Sequence, residues 1–261
     1  MQESEVRAAL TRALGPRLGR VVVLDAVAST SSAMDASWPD WSIVVTGHQT
    51  AGRGRAGRTW VTPPGEALTF SVLLRPGLEA SSLGWLALLG GLAVVGALGE
   101  LGVEARLKWP NDVLVESGEE LAGWGRWRKV CGVLGETRGE AAVLGIGVNV
   151  AQTELPVPTA ASLALIGVRV ERVELLGLVV ARLADLDRQF RASGGDAVAS
   201  GLAAECTAAC LSIGGRVRVL LPGGASLEGL ATGLGPDGSL QVTDSSGAVR
   251  AVLAGDVEHL R

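Results

Sequence analysis

The chain has no tyrosine and only two phenylalanines in 261 residues. Its aromatic bulk therefore comes from seven tryptophans, and the rest of the core must be Val, Leu and Ala. Histidine is equally scarce, with His48 and His259 far apart in sequence. The three cysteines, Cys131, Cys206 and Cys210, are an odd number in a chain too long to need staples, which argues against a disulfide framework. With no histidine near them they make no zinc set, so buried reduced thiols of a cytoplasmic protein are expected. Cys206 and Cys210 are spaced to share a helix face. Excess positive charge is also missing: 23 Lys and Arg against 27 Asp and Glu leave −4. That excludes a globally basic nucleic-acid binder, since non-specific affinity needs surplus cations, and no DNA partner is expected. The N-terminus, MQESEVRAALTR, carries acids and no apolar stretch, unlike a secretory leader.

One long uncharged run exists, residues 80–99. It could span a bilayer by length. Five glycines and two serines within it, and acidic flanks at Glu79 and Glu100, favour a helix buried inside a globular domain, with no membrane partner. Ser81 or Ser82 is placed to cap it. Other helical patterns cover residues 3–14 and 170–190. Apolar runs bounded by turn residues predict strands at 21–27, 43–46, 68–74, 106–109 leading into 113–115, 130–136 and 142–150. Mixed elements of this kind predict an α+β domain, a mixed sheet packed by helices, over residues 1–211. From residue 212 to 261 the texture changes to short alternating strands separated by turns at 222–224, 235–238 and 245–247, predicting a small C-terminal β barrel.

Four clusters carry chemistry. The densest is GRGRAGR, residues 52–58, where Arg53, Arg55 and Arg58 alternate with glycines and no acid intervenes. Glycines let a backbone approach a ligand, and guanidinium forks suit phosphate or carboxylate, although a solvated Arg-Gly loop has the same composition. In Lys108-Trp109-Pro110-Asn111-Asp112 a cation, an amide and a carboxylate close a strand. Lys108 suits a phosphate and Asp112 a hard cation, while an ordinary turn reads the same way. Lys129 opens the apolar strand KVCGVLGE, where a strand-edge lysine is commonly only a solubilising charge. GIGVN ends an apolar strand in the amide of Asn149.

Taken in this order, the clusters resemble the bacterial biotin–protein ligases, in the form that lacks an N-terminal DNA-binding domain. HQTAGRGRAGRTWVTPPG is similar to that family's biotin and adenylate loop, KWPNDV to its nucleotide motif, and KVCGVLGE and GIGVNV to its central strands. The stretch DAVASTS, residues 25–31, resembles the start of the biotin pocket. The resemblance implies a class II synthetase-like catalytic domain followed by an SH3-like barrel. It implies that Ser29, Thr30, Ser31 and Gln49 bind the ureido head of biotin. Arg53, Gly54 and Arg55 would wrap the acyl and phosphate region, and Lys129 would meet the biotin carboxylate, with Lys129 and Arg55 as the catalytic pair. Arg58, Trp60, Lys108, Asn111 and Asn149 would hold the nucleotide, and Asp112 would hold Mg²⁺.

The implied activity is AMP-forming ligation, in which ATP activates biotin and the acyl group passes to a lysine of a biotin carboxyl carrier protein such as that of acetyl-CoA carboxylase. The resemblance also implies a homodimer. Lipoate or octanoyl ligation and a non-catalytic biotin-binding or sensing module are the alternatives. The polar trio Ser29, Thr30 and Gln49 argues against the first, because a dithiolane needs no such partners. Lys129, Asp112 and the arginine loop argue against the second. Two departures stand out. Ser31 replaces the family's usual Asn, and residues 116–128, with Trp124 and Trp127, form a longer connection than usual, expected as a hairpin or a partner-contacting loop.

Overall fold

A computed structural model describes residues 1–61, 63–77 and 79–260. The chain enters through helix α1 (Glu3–Leu14), whose buried face is Val6, Leu10 and Leu14, the spacing of an amphipathic helix. Strands β1 (Val21–Leu24), β2 (Ser42–Thr46) and β3 (Ala67–Leu74) follow, then helix α2 (Trp85–Glu100). Strands β4 (Ala105–Lys108), β5 (Asp112–Leu121), β6 (Gly125–Arg138) and β7 (Ala141–Asn149) complete a seven-stranded sheet in the order β1-β2-β3-β7-β6-β5-β4. Only β1 and β2 run parallel; every other pair is antiparallel. The mixed α+β expectation is borne out.

Helix α2 is the uncharged run, and its burial explains its composition. It packs against β4, β6 and helix α3 (Arg172–Ala192). Gly90 and Gly91 lie so close to the sheet that an added Cβ would meet Leu144 at 2.9 Å and Leu107 at 2.7 Å. The segment Ser82–Glu100 is long and apolar enough to cross a membrane, yet 56% of it is buried inside this fold. The expected serine cap is corrected. The residues before α2 wind into a 3-10 turn, Ala80–Gly84, so Ser82 sits inside that turn and Gly84 takes the capping position; the Ser81 side chain lies outside the described residues.

A short helix α4 (Leu202–Ala209) has no apolar period to betray it in the sequence. It buries Cys206, whereas Cys210 is already extended and bridges to Leu107, so the two thiols do not share a helix face. All three cysteines are free and buried, and burial pushes the Cys206 thiol up to about 12.

Strands β8 (Arg216–Leu220), β9 (Ser226–Leu234), β10 (Leu240–Thr243), β11 (Val249–Val252) and β12 (Asp256–Leu260) form a five-stranded antiparallel sheet in the order β11-β10-β9-β8-β12. Its inward residues Val217, Val219, Ala231, Leu240 and Val257 join the main core. Two buried tryptophans fasten it. The Trp85 indole N–H donates to Pro236 O at 2.8 Å, and that of Trp109 donates to Gly238 O at 3.1 Å. The α-helices cover one face of the large sheet, which leaves the other face and the adjoining β12 edge to build a cleft.

Candidate active site

That cleft is a cavity of about 860 Å³. Its floor follows from strand alternation: residues two apart share a face. On the face opposite Phe70, Ile146 and Val133, the strands present Thr69 and Ser71 on β3, Gly145 and Gly147 on β7, and Gly132 and Leu134 on β6. Register aligns Ser71 with Gly145, Thr69 with Gly147, and Gly132 with Gly147, so a stripe without bulk crosses three strands. The stripe is needed. A Cβ on Gly145 would lie 2.8 Å from Ser31 Oγ, and one on Gly147 would lie 2.7 Å from the Trp60 indole.

At one end the turn after β1 brings Ser29, Thr30 and Ser31 to Gln49, and all four are buried. Thr30 donates its backbone N–H to Gln49 Oε1 at 2.8 Å, and its hydroxyl lies 2.7 Å from Ser71 Oγ. Ser31 Oγ is 3.0 Å from the same Ser71 oxygen. Buried polar atoms are costly unless paired, so this cluster is built for hydrogen bonding. Ser71 and Thr69 were missed in the sequence; their signal was a pair of hydroxyls alternating through an otherwise apolar strand. Arg138 was also missed. It donates to Ser31 O and Met34 O, both at 2.8 Å, and so pins this turn from beneath.

At the other end five cations converge. The 52–58 loop closes on itself through Gly54 N–H to Arg58 O at 2.7 Å and Trp60 N–H to Gly52 O at 2.9 Å. A Cβ on Gly52 would fall 2.3 Å from Trp60 O, which requires glycine there. The loop arginines, with no acid among them in sequence, are each engaged. Arg53 pairs with Glu136 at 3.0 Å, Arg55 donates to Asn111 Oδ1 and Gly255 O, and Arg58 pairs with Asp256. The hydrogen bond to Asp256 raises the Arg58 pKa, and its Arg58 partner lowers that of Asp256. Burial lowers the Arg55 pKa. Lys129 pairs with Asp112 at 2.6 Å and lies 5.5 Å from the centre of the Trp60 ring. Lys108 has its pKa lowered, chiefly by burial. The half-buried His259 is held down at about 4 by burial and by Lys108.

Every residue that the resemblance assigns to biotin, nucleotide or metal, from Ser29 to Asn149, lines this one cavity. Asn149 does so while bracing its surroundings: it donates to Ala161 O at 2.9 Å and accepts from Gln152 at 3.0 Å. The Trp60 indole N–H is buried without an acceptor among the described residues. Asp256 and His259 reach the site from the C-terminal sheet and carry no local signature in sequence. Residues 116–128 form the expected hairpin between β5 and β6, and its tip, Ala122 to Trp124, also borders the cavity.

An elongated cleft with a buried polar pocket at one end and clustered cations at the other defines an enzyme that brings a small organic acid to a polyanion. Comparison with known proteins agrees. The profile of the Biotin/lipoate A/B protein ligase family matches residues 24–152, and that of the Biotin protein ligase C terminal domain matches residues 212–260. The Biotin–[acetyl-CoA-carboxylase] ligase of Mycobacterium tuberculosis is 36% identical over 253 residues, covering 91% of this chain and 89% of that one. The biotin protein ligase of Aquifex aeolicus, solved with biotin and ATP, superimposes with a TM-score of 0.76 at 30% identity, covering 93% of this chain and 99% of that one. The Leishmania major biotin protein ligase in complex with biotinyl-5-AMP shares the fold, with a TM-score of 0.55 at 24% identity over 93% of this chain and 98% of that one. The chain belongs to the biotin/lipoate A/B protein ligase family.

Proposed function

We propose that the chain activates biotin with ATP, giving biotinyl-5′-AMP and pyrophosphate, and then transfers biotin to a lysine of a biotin carboxyl carrier protein. The observation that carries this is the single cavity joining the Ser29–Thr30–Ser31–Gln49 pocket to Lys129, Arg55, Arg58 and Lys108. A ureido head has donors and an acceptor to satisfy, and a pocket of buried hydroxyls rejects a head that leaves them unpaired. That favours biotin over lipoate or octanoate.

In the first step an anionic carboxylate attacks the α-phosphorus of a polyanion. Lys129, between the pocket and the loop, neutralises the carboxylate, and Arg55 meets charge developing on the phosphate. Arg58 and Lys108 hold the outer phosphates, and Trp60 with Asn149 borders the base. Asp112 suits Mg²⁺ that arrives with the nucleotide, because Mg²⁺ is held by one or two carboxylates plus substrate phosphates. When bound, the ion would offset phosphate charge. In the second step the carrier amine attacks the acyl carbon and AMP leaves, while the 52–58 loop shields the anhydride from water.

We also assign residues 1–211 to catalysis and 212–261 to a supporting domain that lends Asp256 to the site. The carrier of acetyl-CoA carboxylase is the acceptor this reading favours, and the three free thiols favour the cytoplasm. Biotin-dependent exchange of labelled pyrophosphate into ATP tests the first step. Exchange with biotin but not octanoate or lipoate is expected. Exchange driven equally by octanoate, or none with biotin, would overturn the reading.

A further inference from the structure

Lys108 stands apart from the other cavity cations. Arg53, Arg58 and Lys129 each have a carboxylate, and Arg55 has two oxygen acceptors. The Lys108 ammonium, among the described residues, makes no salt bridge and donates no hydrogen bond. Although it faces Asp112 across the β4–β5 ladder, Asp112 is committed to Lys129. Asp112 and Asp256 attract it from a distance without a salt bridge, and its close neighbour is a π face: Lys108 Nζ lies 4.4 Å from the centre of the Trp124 ring.

Trp124 sits at the tip of the β5–β6 hairpin, and that tip is internally hydrogen-bonded. Leu121 pairs with Gly125, and Trp124 N–H donates to Leu121 O at 2.9 Å. The buried Arg128 donates to Glu119 O at 2.6 Å and to Gly125 O and Trp127 O at 2.9 Å, which ties both strands together. Arg126 and Glu116 pair across it at 2.7 Å. Such bracing would be superfluous in a loop that merely connects strands. Here it carries an aromatic face to one lysine.

We propose that Trp124 is a positioning residue for the nucleotide: its ring holds the Lys108 ammonium inside the cavity, poised for the outer phosphates of ATP and for departing pyrophosphate. The inference rests on the adenylation reading above. An ammonium over an indole keeps all three N–H donors, because the ring attracts the cation without accepting a strong hydrogen bond. A phosphate therefore meets Lys108 without having to displace a carboxylate, as it must at Arg58. The aliphatic stem of a lysine is flexible, and without the ring the ammonium would sample many rotamers.

The test is calorimetric binding of inorganic pyrophosphate to full-length protein carrying Trp124, Trp124→Phe or Trp124→Leu, each with Lys108 or Lys108→Met. Trp124→Leu should weaken pyrophosphate binding about three- to thirtyfold, and Trp124→Phe should recover much of the loss, since phenyl keeps a weaker π face. In the Lys108→Met background neither change should matter. The Michaelis constant for ATP should rise in parallel while that for biotin stays within twofold. Equal losses in both Lys108 backgrounds would show that Trp124 is only a wall, and no loss would show that it is nothing to the nucleotide; either overturns the proposal. Should Trp124→Leu fail to fold, Trp124→Phe alone decides, because its effect must vanish with Lys108→Met. The expected pyrophosphate pattern without biotin-dependent exchange in the wild type would overturn the assigned reaction and leave the role of Trp124 standing.

Discussion

Gly84 is where α2 meets the C-terminal sheet, and replacing it with alanine sets two effects against each other. Its backbone is helical, φ −58° and ψ −28°, so alanine can adopt the conformation, although at a capping position it gains less than in a helix interior. Yet the new Cβ would lie 2.3 Å from Asp237 O, where a carbon and a carbonyl oxygen ordinarily keep about 3.3 Å. Two backbones must separate by about 1 Å, and the partner turn cannot yield freely because Trp85 is bonded to Pro236 within it. Overpacking of this kind costs about 1–3 kcal/mol. The clash should win, leaving a net loss of about 1–2 kcal/mol and a melting temperature lower by about 2–8 °C. Gly99→Ala, in the same helix, is the control: nothing lies within 4 Å of its Cβ, so only the propensity gain remains. Differential scanning calorimetry on the two variants measures the contrast. Arg55 and Arg58 reach across to Gly255 and Asp256, so amide exchange at residues 54–60 should also quicken in Gly84→Ala. A Gly84→Ala protein that melts at or above the wild type would refute the docking argument.

Further expectations concern the cavity. Lys129→Ala should slow pyrophosphate exchange about 10²–10³-fold with the fold intact, since a charge-assisted contact in the transition state is worth about 2–4 kcal/mol; a rate within threefold of wild type would remove Lys129 from the chemistry. Asp112→Asn should raise the Mg²⁺ concentration for half-maximal exchange about tenfold without weakening biotin, and a superimposable Mg²⁺ titration would make Asp112 a turn residue. His259 is neutral in the fold down to about pH 4, whereas the unfolded side chain takes a proton near 6.5. The unfolded state thus binds more protons in that window, and stability present above pH 6.5 falls as pH drops toward 4, by about 1–2 kcal/mol for a half-exposed ring. Urea unfolding at pH 7 and 4.5 should show a smaller difference for His259→Gln than for the wild type; equal differences would clear His259 of the effect.

Local chemistry was legible from the residues alone, and chemistry assembled across the fold was not. GRGRAGR and KWPND announce themselves because their charges and glycines are neighbours in sequence. Helix α1 was readable to its ends because its apolar spacing stops at a glycine. Helix α4 was invisible, being eight residues of LAAECTAA with no polar face to contrast. Ser71 looked like one small residue in an apolar strand, and only the β3–β7 register sets it beside Gly145 and under Thr30. Asp256 and His259 sit in a strand whose sequence says nothing of the distant loop they meet. The arginine loop hides its pairing for a similar reason: no acid lies within it in sequence, and its carboxylates, Glu136 and Asp256, arrive from other elements.

Those internal pairs change what ligand entry means. With Glu136 on Arg53, Asp256 on Arg58 and Asp112 on Lys129, the cleft comes with its own counter-ions. An incoming carboxylate or phosphate at these positions exchanges with a resident one instead of capturing a bare charge. Exchange of like for like changes the count of solution ions little, so affinity at the paired positions should depend weakly on added salt, in contrast to an open cationic groove. It also leaves a vacated acid beside each bound anion. On the proposed reading, a carboxylate that took Lys129 would release Asp112 just when a divalent cation had most use for it, so acid and metal would enter the cleft as a linked pair, each making the other's place.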